Sequence, residues 1–334
     1  LYQLATEAPE RMNGVDRISL IPDIATFRHS GADVTERTNA STTGLLGING
    51  NWDLELMTRL GRNHNRWAPL VDPGTEVGAI TADIAATTGL SRGTRVVTVG
   101  SHDTASAVVG TPMLTDDCAY ISCGTWGLVG VELEAPEVSD AAREANFTNE
   151  GGVDGRTRFL HNVMGLWLLN ECVREWGADL PSLLAQAAAL PAPERLIDPN
   201  DPTFSAPGNM PARIVQWCAE HDVPVADEPA AIARLVVESL AQAFAEAVHT
   251  ASSLARKPVG TIHITGGGSL NTLLCQRTAD RAGLTVVAGP VEATAIGNVM
   301  VQARTAGIIG SLEEIRATIA TTTDTIEYTR TTKG

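Results

Sequence analysis

A short β-branched run, Thr261 to Ile264, ends in Gly266-Gly267-Gly268-Ser269 and gives way to a helical pattern from about Asn271 to Ala282, closed by Gly283. A second such run, Thr285 to Ala288, is followed by GPVEATAIGNVMVQA, which has the character of another helix. Strand, helix, strand, helix in series permits few architectures: parallel strands with helices covering the sheet, hence an α/β fold. The glycines add a chemical constraint. Between a strand and a helix N-terminus they let backbone N–H groups approach a phosphate with no Cβ in the way.

A second stretch, RVVTVGSHDTASAVVGTPMLTDDCAYISCGTWGLVGVEL from Arg95 to Leu133, carries the other candidate chemistry. Arg95 to Val99 reads as a buried strand, and Gly100-Ser101-His102-Asp103 then places a carboxylate where a helix should begin. Tyr120 to Ser122 enters the Cys123-Gly124-Thr125-Trp126-Gly127 turn and leaves through Leu128 to Leu133, the pattern of a hairpin with glycines at its tip. Taken singly, Ser-His-Asp before a helix is ordinary capping and Gly-Thr in a hairpin is ordinary turn chemistry. A glycine-lined tip can also bring N–H groups to a phosphate.

Together, SHDTASAV and YISCGTWGLVGVE resemble the FGGY carbohydrate kinases, specifically their rhamnulokinase branch. The resemblance continues through LYQL, LIPD, TNASTT and NWDLEL before the central stretch, TNEGG and NVMGLWLLNE after it, and TGGGSLNTLLCQRTAD and VAGPVEATAIGN near the end. It implies a two-domain actin-like ATPase (ribonuclease H-like) fold. Residues 1–109 would be the later part of a sugar-binding first domain, 110–310 a nucleotide-binding second domain, and 311–334 a peripheral C-terminal tail. It also implies that Asp103 is the catalytic base, that His102, Thr104 and Asn162 position the sugar, and that Gly124, Thr125, Gly266, Gly267 and Gly268 hold ATP. Asn170 matches a glutamine that lies near the nucleotide in part of the family. Mg2+ would accompany ATP, with no metal ligand assigned. The implied acceptor is a ketose, L-rhamnulose first, with L-fuculose and ketopentoses as alternatives. The family's opening strand-turn-strand has no match, so the first domain is expected to be incomplete, and a non-catalytic nucleotide- or sugar-binding module is the competing class.

Composition excludes other classes. A net charge of −15 over 334 residues, with no basic stripe, disfavours nucleic acid and anionic membrane as partners. No apolar run reaches bilayer length, and LYQLATEAPERM lacks the features of a signal peptide, so a cytoplasmic protein is expected. Self-association stays open. Five cysteines stand singly without metal-ligand spacing, which reads as reduced, near-core thiols. No Walker A motif occurs, which removes the P-loop kinases.

The rest is read as scaffold. Pro229 to Arg256 repeats apolar residues every three or four positions and predicts a long amphipathic helix. Trp52 to Leu60 predicts a helix capped by Asp53, and Glu292 is expected to cap or start the last helix. Pro181 to Pro229 reads as an irregular surface excursion with one short helix near Ile214 to Glu220, in which Asp198 and Asp201 serve turns.

Overall fold

The computed structural model describes residues 2–12, 14–60 and 66–331. Leu1, on which the resemblance of LYQL begins, and the last three residues of the tail lie outside them. Among the described residues the largest sheet has seven strands, in the order Ile326–Tyr328, Thr285–Ala288, Thr261–Thr265, Cys118–Cys123, Trp126–Leu133, Thr157–Met164 and Thr148–Gly151. Cys118–Cys123, Thr261–Thr265 and Thr285–Ala288 run parallel, as strands joined by helices must. The remaining neighbours are antiparallel, including the hairpin that pairs Cys123 with Gly127. The α/β expectation holds.

The sheet buries Ile121, Val129, Phe159, Ile262, Ile264 and Val286 completely. Over it lies the helix Pro229–Ala255, whose Ile232, Leu235, Val236, Leu240, Phe244 and Val248 join the same core. Each such side chain contributes about 1.5–3 kcal/mol by leaving water. One contact fixes the alignment: a Cβ on Gly127 would stand 2.5 Å from Phe244 Cε1, so the ring occupies the space that a side chain there would need.

A tighter approach joins the helix Asp103–Val109 to the helix Ala293–Thr305. A Cβ on Gly110 would overlap the Ala293 carbonyl oxygen, and one on Gly297 would overlap that of Ser106. Two glycines therefore set the crossing of the helix that starts at Asp103, bringing backbone against backbone.

Residues 2–110 are less regular. Thr35–Glu36 pairs in parallel with Leu70–Val71, and Leu45, Met57 and Trp67 form a small separate core. The Asp53 cap is present, its carboxylate accepting from Leu56 N at 2.9 Å. The expected buried strand at Arg95 is shorter and more open: Arg95–Val97 pairs antiparallel with Glu76–Ala79 outside the large sheet, with Arg95 exposed and both valines half-buried. Its β-branched composition specifies a strand, but burial depends on which sheet the strand joins.

Three further expectations are corrected. The proline-rich region holds two helices, Leu180–Ala189 and Met210–Glu220, with Pro181 and Pro211 in first turns where a missing N–H costs nothing. Phe204, Met210 and Ile214 are fully buried, so the excursion also supplies core. Glu292 does start its helix, at the N-cap position though without a side-chain capping bond, but that helix is the last but one and not the last. Finally, the stretch after Gly310 forms the helix Leu312–Thr322, which buries Leu312, Ile315 and Ile319, and then the edge strand of the sheet. Its threonines masked both that i, i+3, i+7 spacing and the Ser311 cap of Glu314 N.

Candidate active site

A cavity of about 890 Å³ opens between the Gly100–Thr104 corner, the tip of the Cys118–Leu133 hairpin and the Gly266–Gly267 turn. His102, Asp103, Thr104, Gly124, Thr125, Asn162, Gly266 and Gly267 all line it. Two residues named from the sequence do not. Asn170 is exposed on the helix Trp167–Trp176 away from the lining, and Gly268 is buried, where a Cβ would overlap Cys123 Sγ.

Asp103 is the first residue of its helix, and its side chain is 81% exposed. Oδ1 accepts from Thr104 N at 2.7 Å, which orients the carboxylate, and the helix dipole favours its charge. The corner is anchored from below: Ser106 Oγ donates to Gly100 O at 2.6 Å, and Glu36 Oε2 accepts from both Ser101 N and Ser101 Oγ.

His102 Nδ1 stands 3.8 Å from Asp103 Oδ1 and 3.9 Å from Glu150 Oε2. Burial, and next the Arg158 guanidinium, push the imidazole pKa below its ordinary value, against the pull of Glu150, Asp103 and Glu36. The ring is accordingly neutral at neutral pH. Arg158 is fully buried, with Nη1 3.0 Å from Glu150 Oε2 and Nε donating to Gly151 O.

At the hairpin tip the Gly124 N–H is already spent on Trp126 O at 2.8 Å, and the Gly124 and Thr125 carbonyls accept from Leu166, Gly165 and Trp167. The Gly124 N–H is therefore not free for a phosphate, although Gly124 lines the cavity. The Thr125 amide and hydroxyl, without partners among the described residues, are what the tip offers. Gly266, at φ +79°, packs on Cys123 O, whereas nothing lies within 4 Å of a Cβ on Gly267. A 3-10 turn, Gly267–Leu270, separates these glycines from the helix Thr272–Ala282, whose amides Asn271 caps, so the turn backbone and not that helix N-terminus fronts the cavity.

The lining also includes Glu150, His161, Asn200 and Thr294, which sequence reasoning did not single out. Glu150 falls within TNEGG, quoted above only for the resemblance, and lies on the strand Thr148–Gly151. The cysteines are all free and buried, and burial pushes the Cys123 and Cys275 thiols up to about 12, so neither is a nucleophile. No cluster of three or more His, Cys, Asp or Glu side chains suited to a metal occurs among the described residues, and no helix there is long and apolar enough to cross a membrane.

The N-terminal domain model of the FGGY family of carbohydrate kinases matches residues 2–110, and the C-terminal domain model matches residues 119–306. A rhamnulokinase from Enterobacter sp. (strain 638) is 41% identical over 324 residues, 96% of this chain and 65% of that protein. A rhamnulokinase from Bacteroides thetaiotaomicron is 39% identical over 92% of this chain and 64% of its own length. The chain thus spans about two thirds of the length of these relatives. Among solved structures, the xylulose kinase from Lactobacillus acidophilus superposes with a TM-score of 0.78 at 18% identity, covering 98% of this chain and 66% of that one. The Plasmodium falciparum glycerol kinase with ADP gives 0.75 at 16%, covering 99% and 67%.

Proposed function

Because this chain belongs to the FGGY family of carbohydrate kinases, we propose that it transfers the γ-phosphoryl group of Mg-bound ATP to a hydroxyl of a ketose, with L-rhamnulose as the favoured acceptor by kinship with the rhamnulokinases. One observation carries the reading: a single cavity holds the exposed carboxylate of Asp103 together with the Thr125 and Gly267 turns.

Asp103 accepts the proton of the attacking hydroxyl while that oxygen bonds to the γ-phosphorus; the bond from γ-phosphorus to the β,γ-bridging oxygen breaks, and ADP leaves. His102, Thr104 and Asn162 hold the acceptor sugar. The Thr125 amide and hydroxyl and the Gly266–Gly267 backbone hold the phosphates, with Gly268 as the packing glycine behind them. Asn170 takes no part in this arrangement. Residues 1–109 then serve mainly the acceptor and 110–310 mainly the nucleotide. The protein's work is positioning and electrostatic, since phosphoryl transfer asks for little else.

The test is ADP release by the protein expressed from its complete reading frame, since the first domain is expected to be incomplete in residues 1–334, with ATP, Mg2+ and, in parallel, L-rhamnulose, L-fuculose and ketopentoses. Turnover highest with L-rhamnulose is expected. ADP release that no ketose stimulates, from a preparation that binds ATP, would sink the reading.

A further inference from the structure

Against His102 in the cavity lining lie two buried charged groups, Glu150 and Arg158, that the phosphoryl-transfer scheme does not use. His102 Nδ1 and Arg158 Nη2 are buried and have no hydrogen-bond partner, while Glu150 Oε2 and Arg158 Nη1, also buried, meet only each other, as an ion pair. Unpaired buried polar atoms cost on the order of 1–3 kcal/mol each, so a group of them at a binding site calls for a role. The atoms are not scattered. Arg158 Nη1 lies 3.0 Å from Glu150 Oε2, and that oxygen lies 3.9 Å from His102 Nδ1.

The strands explain this juxtaposition. Thr148–Gly151 pairs antiparallel with Thr157–Met164, with Glu150 directly opposite Arg158. Arg158 is fully buried and can only donate, so it holds the Glu150 carboxylate in place. Glu150, 10% exposed, reaches the underside of His102, whose ring is 23% exposed at the cavity. The charged groups facing that ring are Glu150, Asp103, Arg158 and Glu36.

We propose that Glu150 is a positioning residue for acceptor recognition: backed by Arg158, it keeps the His102 proton on Nδ1, so that Nε2 faces the ligand as a hydrogen-bond acceptor. A neutral imidazole has one donor and one acceptor, and which nitrogen is which follows from what the other one meets. With two carboxylates, Glu150 and Asp103, on the Nδ1 side, the proton belongs there. The 3.9 Å separation tightens once a hydroxyl donates to Nε2, in the way that catalytic contacts close on ligand binding. The site thereby selects a sugar hydroxyl presented as a donor at that point. This step rests on the ketose-kinase reading for its substrate but not for its geometry.

The experiment uses histidine labelled with 15N, with the His102 signals assigned by their loss in His102→Gln. The parent should show the Nδ1–H tautomer. Glu150→Gln is isosteric but removes the charge that faces the buried Arg158, so its fold is checked first by circular dichroism. In the folded variant Arg158 retains the amide oxygen, the NH2 group turns to Nδ1, and the tautomer should reverse to Nε2–H, while the tautomer of the parent tests the inference without the variant. The ketose affinity should then fall about tenfold while ATP affinity stays within about twofold, because one hydrogen bond to the sugar is lost. An unchanged tautomer in Glu150→Gln, or Nε2–H already in the parent, overturns the inference. A parent that binds no ketose defeats the kinase reading instead, and the tautomer measurement still decides what Glu150 does.

Discussion

Glu36 accepts two hydrogen bonds from Ser101 through one carboxylate oxygen, 3.0 Å from the backbone nitrogen and 2.6 Å from the hydroxyl, across 65 residues of chain. The same carboxylate takes Thr38 N, Thr38 Oγ1 and Asn39 N, and it is buried. This side chain ties the segment at 35–40 to the corner that presents His102 and Asp103. Glu36→Ala would leave several buried donors unpaired, for a loss of roughly 2–4 kcal/mol. Denaturant unfolding should show that loss, whereas a variant with parent stability would mean that water replaces the carboxylate.

Asp103→Asn is the opposite case. The side chain is largely exposed and its bonds are local, so the unfolding midpoint should move only by the small contribution of a charge at a helix N-terminus, about 0.3–1 kcal/mol. The amide cannot take a proton, and turnover should drop by about 10²- to 10⁴-fold. Activity within a few-fold of the parent would leave Asp103 as no more than the first residue of a helix.

Gly267 offers a clean probe of the nucleotide side. Its backbone is not left-handed and a Cβ there meets nothing, so Gly267→Val should fold. Gly267 lines the cavity, and a branched side chain there should weaken ATP binding by about tenfold or more, with ketose binding little changed, because close backbone approach to a phosphate needs a bare Cα. Calorimetric titration with each ligand separates the two, and equal losses would place the nucleotide elsewhere.

These cases mark what was legible in the sequence. The βαβα series and the hairpin announce themselves through local periodicity and glycine placement, and Asp103 stands out because a corner and a helix start coincide there. Glu36, Glu150 and Arg158 gave no such sign. Their roles depend on burial and on partners that are remote or across a strand pair, and an acidic residue in a polar stretch is locally the same whether it ends up solvated or buried. Gly297 was hidden for a related reason: within a helical pattern it looks like a weak position until a second helix arrives.

Asp23 lies outside the cavity and yields a pH prediction. Burial, above all, raises its pKa from 3.8 to about 6, with Glu36 adding repulsion and the bond from Glu36 N opposing. Below pH 3.8 the group is protonated in both the folded and unfolded chains and costs nothing. Between 3.8 and about 6 the unfolded chain ionises first, so stability falls as pH rises, and above about 6 the full penalty is in place. Asp23→Asn keeps an oxygen for Glu36 N and should raise the melting temperature at pH 7.5 more than at pH 4.5. A gain independent of pH would contradict the raised pKa.

The helix crossing at Gly297 links stability to placement of the base. A Cβ there overlaps the Ser106 carbonyl oxygen and comes within 2.9 Å of Gly110 N, so the two helices must separate to admit one. Helix Asp103–Val109 is short, and moving it displaces Asp103 at its start. Gly297→Ala should therefore cost about 1–3 kcal/mol of stability, the range seen for overpacked interiors. It should also lower kcat for the ketose by more than it changes KM for ATP, since misplacement by about an ångström at the reacting centre is worth up to 10²-fold. Val299→Ala, on the same helix but exposed, serves as the control and should be near neutral. Parent-like stability and kcat in Gly297→Ala would show that the crossing yields without moving Asp103.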